Sequence, residues 1–165
     1  MSLLALLQVC CLAAFAILLI AAGWQDLRTM RIANGLSIAI AMSFVLWSAA
    51  GLGLGRVTLG QIGWSAVSAV VVFSVSAFAF ALGAIGGGDV KLLAAASLFA
   101  GPTHQFDFLA VTAFVGGLLG LALLAGVPVG PARQVEGAAT LRSGLPYGPA
   151  IAAGGLWVVA SLAIA

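Results

Sequence analysis

Long apolar runs separated by short polar or glycine-rich breaks dominate the chain. Six are apparent: Leu3–Ala22, Leu36–Leu54, Leu59–Leu82, Val90–Ala100, Phe106–Ala125 and Pro149–Ile164. None shows the strict polar/apolar alternation of a lipid-facing strand, so each predicts a helix. About 20 apolar residues, rising about 1.5 Å each, cross about 30 Å of hydrocarbon. Val90–Ala100 is the exception, because so short a run rises only about 16 Å. It is flanked by Gly86 to Gly88 on one side and Gly101-Pro102 on the other. The pattern predicts an all-α, polytopic transmembrane helical bundle of about six helices with a short fourth helix.

Composition sharpens this reading. The 165 residues are 64% hydrophobic and 6% charged, with a mean hydropathy of +1.27, against about 25% charged in an ordinary soluble domain. Membrane segments consume nearly the whole length, so residues 1–165 are expected to form a single transmembrane domain. The formal charge of +2 is too small, and its basic residues too scattered, for a nucleic-acid surface. Cys10 and Cys11 are adjacent within the first run, where a disulfide between them is geometrically disfavoured and two sulfurs alone make no zinc site. They read as packing residues. Met1-Ser2-Leu3 lacks the basic region of a secretory signal, so the first helix is expected to be retained.

The placement of charge orients the bundle. With six crossings, Arg28, Arg31, Lys91, Arg133 and Arg142 fall on one side and only Arg56 on the other, which the positive-inside rule assigns to the cytoplasm and the exterior. Asp26 and Asp89 then share the cytoplasmic face, Asp26 after the first helix and Asp89 before the fourth. The connection from Gly126 to Pro146, with Arg133, Glu136, Arg142 and Ser143, reads as an irregular linker, with substrate or partner contact as the functional alternative.

A carboxylate near membrane depth is costly and is a functional hypothesis by default. Singly, each aspartate has an ordinary explanation. Asp26 fits a loop residue paired with Arg28 or Arg31, and Asp89 fits a helix cap facing free backbone N–H groups. As a pair they can hold one proton between them, so that one carboxylate activates water while the other polarises a scissile carbonyl. The helix N-terminus at Asp89 favours its charged form and nominates it as the base-like member. Gly86, Gly87 and Gly88 permit close approach of a substrate backbone, or simply form a turn. Lys91, Arg28 and Arg31 suit interfacial snorkelling as well as substrate contact, and Asn34 sits where an N-cap of the second helix is expected. His104 and Asp107 are too few for a metal site and read as interfacial loop residues on the opposite face. Trp24, Trp47 and Trp157 read as interface anchors.

Around the aspartates the chain resembles the type IV prepilin peptidase family of bacterial aspartyl membrane proteases. Asp26, Arg28, Ile32 and Asn34 are similar to its first aspartate motif, and Gly86-Gly87-Gly88-Asp89 followed by Val90-Lys91-Leu92 to its second. Pro146-Tyr147-Gly148-Pro149-Ala150-Ile151 resembles the start of its last helix. Ala33 stands where the family commonly has Pro. The resemblance implies catalytic Asp26 and Asp89, with Gly86, Gly88, Lys91, Arg28 and Asn34 as substrate-binding candidates. It implies cleavage of the leader from prepilin or pseudopilin precursors at the bacterial inner membrane, with the active site facing the cytoplasm. The connection between the first two helices is too short for the cysteine-bearing insertion of long members, so the chain resembles the short Flp-type form. Leader cleavage without methylation is implied, with water as co-substrate and neither cofactor nor metal. A small transporter or ion-coupled carrier using Asp26 or Asp89 is the alternative, although helices 2, 3 and 5 offer few polar groups for a pathway.

Overall fold

The computed structural model describes residues 2–127 and 146–164. They form five helices: α1 Leu3–Thr29, α2 Asn34–Gly53, α3 Leu59–Ala81, α4 Gly87–Leu124 and α5 Gly148–Ile164. The connection around Arg133, Glu136 and Arg142 lies outside the described residues, and so does its expected role. Four of the helices, α1 to α4, are long and apolar enough to cross a membrane, and α5 is a shorter apolar helix of 17 residues.

The six-helix expectation with a short fourth helix is corrected. The described residues form five helices, and the fourth, at 38 residues, is the longest. Val90–Ala100 and Phe106–Ala125 belong to one element because no loop intervenes between them. Gly101 alone leaves helical geometry, at φ 52° and ψ −172°, and Pro102 follows it directly. That backbone region is open almost only to glycine, while proline needs no N–H donor in the first turn of the resumed helix. The bend is large, since the Gln105 side-chain amide donates to Ser97 Oγ at 3.3 Å across it. In a straight helix eight residues would separate their backbones by about 12 Å. Gly88 lies against Ile32, and Gly116 faces Tyr147 and Ala150. Both therefore lie at the Asp26 end of the bundle, whereas Gly101 shares a cavity with Gln8 at the other end. The element runs away from the aspartates and returns.

Helix ends are set by local chemistry. Ser2 caps α1 by accepting from the Ala5 N–H at 3.3 Å. Thr58 and Gln61 cap α3 reciprocally, at 3.2 Å and 2.8 Å, the arrangement that satisfies two free N–H groups at once. α1 continues past the apolar run through Asp26 and stops at Met30, which adopts the left-handed conformation with φ 52° and donates to the Asp26 carbonyl at 2.8 Å. Asp26 is thus a helical residue and not a loop residue, and Asp89 lies within the first turn of α4 and not before it. The N-cap of α2 is Ala33, and Asn34 is its first helical residue.

The core is aromatic. Phe15 on α1 stacks on Phe99 of α4 with centroids 4.1 Å apart, and Phe44 of α2 meets Phe99 edge-on at 5.4 Å. Trp47, expected as an interface anchor, instead packs on Phe44 and Phe99; Trp24 and Trp157 are exposed. Cys11 is buried, whereas Cys10 is exposed, and both are free thiols. α1 packs on α2 and α5, and α4 on α2, α3 and α5. α3 is the peripheral helix, presenting Val70, Val75 and Phe78 outward, which costs little where the solvent is lipid.

Candidate active site

Asp26 and Asp89 come together although 63 positions separate them in the sequence. Both line one cavity of about 310 Å³ with Met30, Arg31, Ile32 and the Gly86-Gly87-Gly88 strip. Each residue is nearly buried, at 5% and 8% exposure, and Asp89 is within electrostatic reach of Asp26. Such burial is tolerable because each carboxylate has a backbone donor. The Gly148 N–H donates to Asp26 Oδ2 at 2.7 Å, and the Gly86 N–H donates to Asp89 Oδ2 at 3.2 Å. The Oδ1 atom of each carries no hydrogen bond from the described residues, which leaves one oxygen per carboxylate for water or substrate.

The helices place these groups with complementary dipoles. Asp89 stands in the first turn of α4, where backbone N–H groups favour an anion. Asp26, near the end of α1, receives its bond from Gly148, the first residue of α5, so it too faces a helix N-terminus. The dipole argument that nominated Asp89 as the base therefore does not separate the pair.

Glycine is required here by space. A Cβ on Gly148 would lie 2.6 Å from Asp26 Cβ, and one on Gly86 would lie 2.8 Å from Asp89 Oδ2. At Gly88 it would meet Ile32 Cβ at 3.1 Å. The bare strip lets the tight segment after α1 lie directly over the start of α4. That segment is held by Gln25, whose Oε1 accepts from the Ala33 N–H at 3.2 Å, and by Thr29, whose hydroxyl donates to the Gln25 and Arg31 carbonyls.

Of the other expected site residues, Gly86 and Gly88 line the cavity and three do not. Lys91 Nζ donates to Asn34 Oδ1 at 2.8 Å, tying the start of α4 to the start of α2. The bond gives both residues a partner that neither snorkelling nor N-capping supplies. The Arg28 guanidinium lies 4.7 Å from the centre of the Trp24 ring, a cation–π contact on the outside of α1. His104 and Asp107 are helical residues of α4 and not loop residues. His104 lies with Gln8 at the end of the bundle away from the aspartates. Gly148 is the site residue that sequence reasoning missed; its signal was the Tyr147-Gly148-Pro149 run, which resembles the family but contains no reactive side chain. Among the described residues no group of three His, Cys, Asp or Glu side chains is placed to hold a metal ion.

A helical membrane bundle with two buried carboxylates facing one cavity has the parts that an aspartic-type membrane hydrolase requires. The type IV leader peptidase family model matches residues 13–121, and the chain belongs to that family. It is accordingly an aspartic-type membrane endopeptidase acting on prepilin-type substrates. No curated relative and no solved structure matches the chain.

Proposed function

We propose that Asp26 and Asp89 are the catalytic carboxylates and that they cut the leader from a short Flp-type prepilin at the cytoplasmic face of the bacterial inner membrane. The observation that carries this reading is their convergence on one cavity beside a glycine strip, each with one oxygen unengaged. Two neighbouring buried carboxylates hold one proton between them, because both anions together would repel in a medium of low dielectric. The ionised member takes a proton from water, whose oxygen attacks the scissile carbonyl. The protonated member donates to the carbonyl oxygen, and proton return to the leaving nitrogen releases the leader carboxylate and the new pilin amine. The pair titrates as a unit.

The side is supported by charge. Arg28, Arg31 and Lys91 lie at the aspartate end, and Arg56 lies near Gln8 at the other, the asymmetry of a cytoplasmic active site. Gly86 and Gly88 admit the extended backbone around the scissile bond, which the family resemblance places after a leader glycine. Lys91 and Asn34 act as a pair that fixes the cavity rim, and Arg28 stands at the interface for contact with lipid or leader. The segment from Met30 to Ala33 leaves no room for the insertion of long members, so cleavage without methylation is expected.

The test is leader cleavage of a cognate prepilin in membranes containing wild type, Asp26→Asn or Asp89→Asn at matched abundance. Loss of cleavage in both variants supports the dyad. Cleavage surviving either substitution removes that aspartate from the chemistry, and a wild type inert on a verified substrate returns weight to a cation or proton carrier.

A further inference from the structure

A second, larger cavity opens at the end of the bundle away from the aspartates. Gln8 and Asp26 lie towards opposite ends of α1, and the 18 positions from one to the other rise about 27 Å. This cavity encloses about 1000 Å³ and is bordered by all five helices. Its floor is the aromatic group Phe44, Trp47 and Phe99, with Leu12 and Leu162 on the walls; exposed Arg56 and Gln61 with half-buried His104 mark its rim, and buried Gln8 lies beneath them.

Two observations indicate that it is built for an occupant: an unpaired cation and a lining that is polar on one side and apolar on the other. Arg56 has no carboxylate partner among the described residues; its one polar contact is a long 3.5 Å bond to Gln8 Oε1, and no acidic residue lines the cavity. His104 shares the rim, so no negative charge faces Arg56 from the described lining. Gln8 is buried, and its amide donates to the Trp47 carbonyl at 3.4 Å while accepting from Arg56, which links the polar rim to the aromatic floor.

We infer that this cavity binds an anionic phospholipid. The phosphodiester would pair with the Arg56 guanidinium, in the bidentate geometry that guanidinium offers phosphate, with His104 beside it. An acyl chain would lie over Trp47 and Phe99. The division of the lining into a cationic rim and an apolar floor matches an amphiphile and gives a free phosphate no use for the floor. None of these residues touches the aspartate cavity, so the site is separable from peptide cleavage.

The test uses the full chain purified in detergent and counts bound lipid by native mass spectrometry after addition of phosphatidylglycerol or phosphatidylcholine. One phosphatidylglycerol per chain is expected to be retained at least tenfold better than phosphatidylcholine. Retention should fall about tenfold in Arg56→Gln and largely persist in Arg56→Lys, with prepilin cleavage unchanged in both. Equal retention of the two lipids, or an Arg56→Gln protein that retains phosphatidylglycerol like wild type, would overturn the assignment. Displacement of the lipid by millimolar inorganic phosphate would also overturn it, assigning the rim to the free ion.

Discussion

Replacing Gly148 with alanine isolates the contact that positions Asp26. Gly148 is not among the glycines with positive φ, so alanine suits its backbone, and the objection is entirely steric. Its methyl group would lie 2.6 Å from Asp26 Cβ and 2.9 Å from Oδ2, closer than real Cβ contacts come. Either α5 backs away from α1 or the carboxylate turns, and in both cases the 2.7 Å bond to Oδ2 lengthens. Overpacking costs about 1–3 kcal/mol, and a hydrogen bond to a charged group contributes about 1.5–3 kcal/mol. Taking about 2–4 kcal/mol as the share lost from the transition state predicts a fall in kcat/KM of about 30- to 1000-fold, at about 1.4 kcal/mol per tenfold. Prepilin cleavage by reconstituted protein reads this directly, and thermal unfolding in the same lipid reports any global loss. Gly63→Ala is the matched control, because a Cβ there meets nothing within 4 Å; it should cleave as wild type and gain up to about 1 kcal/mol of helix stability. A Gly148→Ala enzyme within twofold of wild type would refute the positioning role of this contact.

Other consequences are as readily checked. Gly88→Val should lower kcat/KM at least tenfold, because even its Cβ would crowd Ile32 at 3.1 Å; full activity would reduce the strip to a turn. Lys91→Met and Asn34→Ala should each cost about 1 kcal/mol of stability and be non-additive in a double-mutant cycle. A rise in KM confined to Lys91→Met would instead assign the ammonium to the substrate. Gly101→Ala should destabilise the fold by about 1–3 kcal/mol, visible as a lower unfolding temperature, since the bend requires φ 52° and the new Cβ would sit 2.8 Å from Ser65 Oγ.

The transmembrane runs of α1 to α3 were legible because lipid imposes an unbroken apolar stretch of defined length. Their ends were less so. Hydropathy reports where the hydrocarbon stops, whereas Asp26 continues α1 because its backbone still has helical partners and its side chain has Gly148. The bend in α4 was misread for a related reason: Gly101-Pro102 looked like a connection between two helices, but one residue with left-handed φ turned the chain without a loop. Asp26 and Asp89 were found because each carried charge into an apolar setting. Gly148 was not, because its contribution is an N–H and an absent side chain, and neither has a residue-type signature. The bond between Lys91 and Asn34 was likewise invisible, since both residues had sufficient local explanations until 57 positions of chain were folded between them.

The bond from Gly148 to Asp26 spans 122 positions, and its donor lies beyond the stretch 13–121 matched by the family. While the chain is being made, Asp26 and Asp89 can meet as soon as α4 has formed its first turn, yet Asp26 has no anchor until α5 has been inserted and docked. On the proposed dyad, the reactive point is therefore completed last, and a nascent chain would carry Asp26 unfastened until α5 is in place.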